Sequence, residues 1–167
     1  MSRLEPPAAH YVNAALGWME LGLPAEAARE LDQLPAAWQH HPDVLELRWA
    51  VLAAQQCWDD AVPVAEALIE AAPDRVSGWL HRAYALRRAT TGGLDKAWSA
   101  LRPAADRFPS EVLVPYNLAC YACQLNRLDE ARAWLQQALA RGQRQSLKRM
   151  ALRDDDLRAL WPEIRDW

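Results

Sequence analysis

Apolar side chains recur along this chain at intervals of three and four residues, with polar positions filling the gaps. Tyr11, Ala14, Ala15 and Trp18 form one such stripe. Leu45, Trp49 and Leu52 form a second, Trp79, Ala83 and Leu86 a third, and Leu118, Ala119 and Ala122 a fourth. Spacing of this kind gathers residues on one face of a helix, so each stretch predicts an amphipathic helix. Each stripe is followed by a further segment, and the four segments align: LPAEAARELDQL, CWDDAVPVAEAL, GLDKAWSALRPA and RLDEARAWLQQA. Every one places a small residue after an acidic or polar pair, at Ala27, Ala61, Ala97 and Ala131, and these lie 34, 36 and 34 residues apart. Pro73 and Pro109, also 36 apart, close two of the units, and two extra residues in the turn ATTGGLD account for the longer interval. No strand is predicted, because every apolar stripe has helical spacing.

A helix–turn–helix unit of about 34 residues resembles the tetratricopeptide repeat family. The fullest match is YNLACYACQLNRLDEARAWLQQAL, with Leu118, Ala119, Ala131, Leu135 and Ala138 at the family's core places. The second unit departs from the pattern. Arg48 stands where an apolar residue is usual, and Pro63 lies in the first turns of its second helix. The resemblance covers residues 8–145 and implies an all-α, right-handed solenoid of four repeats over 8–41, 42–75, 76–111 and 112–145, within a single domain of 1–167. Small residues such as Ala15, Ala83 and Ala119 would let the helices of a unit approach, while Trp18, Leu52, Leu86, Leu31, Leu101 and Leu135 fill the space between units. One unit cannot bury its apolar face alone, so an exposed end needs closing. Residues 146–167 read as a capping segment, with Leu152, Leu157, Leu160, Trp161 and Ile164 available to cover the last repeat. Asp154, Asp155 and Asp156 suit a helix start, where carboxylates meet free N–H groups and the positive end of the dipole.

Composition narrows the class. Hydrophobic residues make up 51% and charged residues 25% of 167, which supplies a core and excludes a disordered chain. Nineteen Lys and Arg against 22 Asp and Glu give a net charge of -3, which does not suit a nucleic-acid protein driven by global charge. The charge is unevenly spread. Residues 1–74 hold 3 basic and 12 acidic side chains, a net of -9, and residues 75–167 hold 16 and 10, a net of +6. Such polarity would attract an acidic partner or another copy's acidic half. Three cysteines fit a reducing compartment rather than a disulfide framework. Without an apolar leader region or an uncharged run of the ~18 residues a membrane span needs, a cytoplasmic protein with no membrane partner is expected.

Candidate chemistry is sparse. Cys120 and Cys123 form a CxxC, but inside a predicted helix rather than at its N-terminus, where a thiol pKa would be depressed. Zinc would need two further ligands, and Cys57 with His81 is an unsupported pair. His40 and His41 lack the spacing of helical metal ligands, His10 is isolated, and Gly92-Gly93 has no following Lys-Ser/Thr. No catalytic residue, metal site, cofactor or enzymatic activity is expected. Of the nine tryptophans, Trp18, Trp49, Trp58 and Trp79 fall on core places, while Trp98 and Trp134 lie on second helices.

In the family, first helices line a concave groove, and the resemblance places Asn13, Met19, Leu47, Leu80, His81, Tyr84, Arg87, Arg88, Tyr116, Asn117 and Gln124 on it. Asn13 and Asn117 occupy a place where family members hold a ligand's backbone through an amide, a group with both donors and acceptors. The carboxylate clamp of the heat-shock co-chaperones is missing, since Val12, Leu16 and Leu47 stand at its places. The resulting surface is half apolar and half basic. A non-catalytic protein–protein interaction module that binds an acidic, partly apolar peptide or helix is the leading expectation. A small chaperone for a secreted or assembly substrate, and a scaffold that self-associates through its charge polarity, are the alternatives.

Overall fold

The computed structural model describes residues 4–167, and each stripe lies on a helix. The order is α1 (Ala8–Glu20), α2 (Pro24–Asp32), a 3-10 turn (Ala36–Trp38), α3 (Pro42–Ala54), α4 (Trp58–Ala71) and α5 (Val76–Arg88). Then follow α6 (Leu94–Leu101), α7 (Ala104–Arg107), α8 (Leu113–Gln124), α9 (Leu128–Arg141), α10 (Arg144–Ala151), a second 3-10 run (Asp155–Leu160) and α11 (Trp161–Asp166). No strand occurs among the described residues, and no helix among them is long and apolar enough to cross a membrane.

The acids of the repeated segment have a local cause. Glu26, Asp59, Asp60, Asp95, Asp129 and Glu130 all sit in first turns, as does Asp43 on α3, where a carboxylate meets the positive end of the helix dipole. The small residue that follows is a packing site: Ala27, Ala61, Ala97 and Ala131 are each 0% exposed. Three of the inter-helix turns share one geometry. Gly22, Gln56 and Asn126 have φ of 72°, 59° and 59°. The next N–H in each turn reaches back across the helix end, Leu23 to Trp18 O, Cys57 to Leu52 O and Arg127 to Ala122 O, each at 2.9 Å. These are left-handed helix terminations of the Schellman kind, which satisfy carbonyls that the helix itself leaves open.

Proline shapes two second helices differently. Pro63 lies inside α4 and cannot donate to Asp59 O, yet the helix continues. Pro103 separates α6 from α7, although it and Arg102 keep helical angles. Arg48, the departure noted above, also has a role. Its guanidinium donates to Asp32 at 2.9 Å, Leu31 O at 3.1 Å and Gln39 Oε1 at 2.7 Å, so it ties the open end of α2 to α3.

The chain forms two compact units, Met1–Thr91 and Gly92–Trp167. In the first, α1, α3 and α5 touch in succession and form one layer, with α2 and α4 behind. Ala8, Ala15, Leu31, Leu34, Val44, Leu47 and Val51 pack together at one end, and Trp49, Ala61, Ala65 and Ala85 at the other. Gly78 lets α5 approach α4, since a Cβ there would lie 2.9 Å from Ile69 Cγ1. Thr90 donates its N–H and hydroxyl to Asp59 Oδ1 at 3.0 and 2.8 Å, fastening the end of this unit to the start of α4.

In the second unit, α8 packs against α6, α9 and the 3-10 run, and is buried from Val114 to Ala122 except at Asn117. The tail contributes Leu157, Leu160 and Ile164, all 0% exposed. Asp154 opens the 3-10 run by accepting from Asp156 N at 3.1 Å. Arg132 of α9 grips Glu163 through two hydrogen bonds of 2.6 and 3.0 Å, and Trp161 Nε1 donates to Ala151 O at 2.9 Å.

Candidate functional site

His81, Tyr84 and Arg88 share one stripe of α5, and they meet Trp49 and Trp58 from α3 and α4. The His81 imidazole stacks on the Trp49 indole at 3.9 Å with the rings 3° from parallel. Tyr84 stands edge-on to Trp49 at 6.0 Å and tilts against Trp58 at 5.6 Å. Arg88 lies over both outer rings, 3.5 Å above Tyr84 and 5.3 Å from Trp58, and donates to Tyr84 O at 3.1 Å. Guanidinium over an aromatic face is a favourable arrangement, because the quadrupole of the ring is negative there. Tyr84 remains 39% exposed, and Arg88 is exposed. The inner end of this stack is tightly packed. Trp49 Nε1 and His81 Nδ1 are buried without hydrogen-bond partners, and burial holds the His81 pKa below its usual value against an opposing pull from Glu46.

Farther along the layer, the carboxylates are neutralised. Arg75 donates to Asp43 at 2.6 Å and lies 3.5 Å from Glu46, which also accepts the Ser77 hydroxyl. The Asp43 hydrogen bond is the main reason that the Arg75 pKa is raised. The surface therefore runs from compensated acids near Ser77 to a cation on aromatic rings at Arg88. Arg87 is half-buried on α5. On α1, Asn13 is exposed and Leu16 is 45% exposed.

The remaining groove residues lie elsewhere. Leu47 is 7% exposed within the core between α1 and α3, and Met19 packs against the same cluster, so both serve the interior. Leu80 is half-buried. In the second unit, the inner side of α8 is covered by the chain's own tail. Tyr116 is 5% exposed and its hydroxyl donates to Asp154 at 2.9 Å, while the Cys120 thiol reaches the same oxygen at 3.5 Å. Gln124 donates to Asp156 O at 2.9 Å. Asn117 gives its amide to Leu113 O of its own helix at 2.8 Å.

The cysteine chemistry is unfavourable to a reactive thiol. Burial pushes the Cys123 pKa up, and that is the reverse of what a nucleophilic or redox thiol requires. Burial is also the leading cause of the raised Tyr116 pKa. Cys120, Asp154 and Asp156 each bring one possible metal-ligating atom within 4.8 Å of the others. Asp154, however, is used by Tyr116, by Cys120 and by the turn it opens, so the cluster is accounted for as a helix-start clasp.

Trp58, expected in the core, packs against the Trp49, Ala61, Ala65 and Ala85 cluster from a half-buried position and also holds Arg88. The sign available in the sequence is its place beside Asp59 and Asp60, at the exposed start of a helix. The contact itself joins residues too far apart in sequence to be read from spacing.

No family model and no curated protein matches the chain. Among solved structures it is similar to TTC0263, a thermophilic TPR protein of Thermus thermophilus, with 18% identity, a TM-score of 0.64 and coverage of 95% of this chain and 99% of that one. It is also similar to MamA, residues 41 to the end, from Desulfovibrio magneticus RS-1, with 20% identity, a TM-score of 0.50 and coverage of 83% and 97%. At these identities the likeness is one of fold.

Proposed function

We propose that this chain, which has the tetratricopeptide-repeat fold, is a non-catalytic protein–protein interaction module that takes an acidic, partly apolar segment of a partner on the inner face of its first unit. The observation that carries this reading is the Arg88 guanidinium 3.5 Å above a Tyr84 ring that stays 39% exposed. A partner carboxylate can pair with the guanidinium while an apolar side chain lies against the rings. The cation is already held in place, so little side-chain entropy is lost on binding. Aromatic and arginine side chains in such settings are the common anchors of interfaces. Asn13 adds an exposed amide for main-chain contact at the α1 end of the layer.

The test starts from a partner captured from the native host and titrated calorimetrically. Tyr84→Ala and Arg88→Glu should each weaken binding about tenfold or more, the range of an interface anchor. Arg88→Glu should also flatten the dependence of affinity on salt, because exposed charges are screened over ~8 Å at physiological ionic strength. Glu66→Lys, at an exposed position on α4, should bind as the parent does. Unchanged affinity in both α5 variants would place the binding surface elsewhere.

A further inference from the structure

Leu21 is the most exposed large apolar side chain among the described residues, at 70%, and Leu23 stands beside it at 45%. Together they make a ridge where α1 turns into α2. Next to the ridge, Ala14, Gly17, Trp18, Leu21 and Glu30 line a shallow depression of about 320 Å³. A Cβ added at Gly17 would meet nothing within 4 Å, so the helix surface is bare there. Two acids lie close by: Glu30, in the lining itself, accepts from Trp18 Nε1 at 3.4 Å, and Glu20, exposed, directly precedes Leu21 in the chain. Apolar side chains held in water at such a turn gain free energy when a partner covers them, roughly 25 cal/mol for each Å² removed from water.

The second unit carries a surface of opposite character. Ser146, Arg149, Met150, Arg153, Asp154 and Asp155 line an open hollow of about 740 Å³. Met150 is 39% exposed. Residues 141–153 contain Arg141, Arg144, Lys148, Arg149 and Arg153 and no acid. Arg149 donates to Ser146 Oγ at 3.4 Å, and among the described residues neither Arg149 nor Arg153 pairs with a carboxylate. Asp154, which accepts from Tyr116 and Cys120, and Asp155 also line the hollow, so its cationic character comes from Arg149 and Arg153 together with the acid-free basic run of residues 141–153 around them.

We infer that the Leu21–Leu23 ridge of one copy docks into the Arg149–Met150–Arg153 hollow of a second copy. The leucines cover Met150, and Arg149 and Arg153 meet Glu20 and Glu30. Charge opposes the pairing of two ridges, and uncovered apolar surface opposes the pairing of two hollows. Two ridges face to face would set Glu20 and Glu30 of one copy against the same carboxylates of the other, and two hollows would leave Leu21 and Leu23 of both copies in water. Ridge to hollow is a heterologous contact, which leaves the hollow of one copy and the ridge of the other unused. It does not depend on the inner-face reading, because Tyr84 and Arg88 take no part in it.

Sedimentation velocity on the full chain tests the inference. At ~0.01 M salt the parent should show a mass above the monomer that grows with protein concentration, and at ~1 M salt, where the screening length falls to ~3 Å, association should weaken. Leu21→Glu alone, and Arg149→Glu with Arg153→Glu, should each leave a monomer. All these positions lie at the surface, and far-ultraviolet circular dichroism checks that the fold is kept. Mixing the two variants should restore a complex of two chains, since one retains the hollow and the other the ridge. A parent that stays monomeric at low salt would overturn the inference and leave the ridge to a different protein. Loss of association on Leu21→Glu but not on the arginine changes would indicate a symmetric contact, and failure of the mixture to assemble would likewise refute a ridge-to-hollow contact.

Discussion

Burial holds the His81 imidazole below its usual pKa of 6.5, with Glu46 pulling weakly the other way. The unfolded chain therefore binds a proton that the folded chain refuses, and stability rises with pH between the two values. The contribution is complete above about 6.5 and is lost as the pH falls toward the folded pKa. Denaturant titrations between pH ~7 and ~5 should show the parent losing stability, and His81→Phe, which can stack on Trp49 without taking a proton, should lose less over that window. Equal slopes would mean that His81 is not the responsible group. At this scale the sequence is readable where a residue acts on its neighbours in the chain. It places His81, Tyr84 and Arg88 on one helix face, because their spacing alone decides that. Leu47 and Tyr116 do not belong to an open binding surface, because side chains from other helices bury them, and no spacing reveals those partners.

Among the elements, second helices are the most legible, since a first-turn acid and a buried alanine recur at each start. Their ends are harder to read. Gly22 announces a left-handed termination, and Asn126 tolerates one, but Gln56 adopts φ 59° with no help from its side-chain type. A residue other than glycine in this region carries a cost of roughly 1 kcal/mol or more. Gln56→Gly should therefore stabilise the protein by about 0.5–1 kcal/mol after the extra freedom of the unfolded glycine is offset. Asn126→Gly should gain less, and thermal unfolding of the two variants will rank them. The break between α6 and α7 follows from Pro103, a signal that is present in the sequence. The Arg48 tether joins α2, the following 3-10 region and α3, and no local pattern encodes such a link.

For the whole molecule, the repeat specifies the fold class, while the two compact units emerge only in the structure. Most contacts in repeat proteins are between near neighbours, so stability is held regionally. Leu157→Ala, which removes a fully buried side chain from the second unit, should cost about 2–5 kcal/mol there. Native-state hydrogen exchange should then show faster exchange in α8 and α9 with little change in α1 and α2. Equal acceleration throughout would indicate a single cooperative block. The boundary at Thr91–Gly92 falls inside the third of the sequence's helix pairs, between α5 and α6. Trp49 and Trp58 belong to one helix pair, α3 and α4, while His81, Tyr84 and Arg88 belong to the helix that follows, α5. The aromatic stack is therefore a property of neighbours laid side by side, and the α3–α4 pair taken alone would present only two separate indoles.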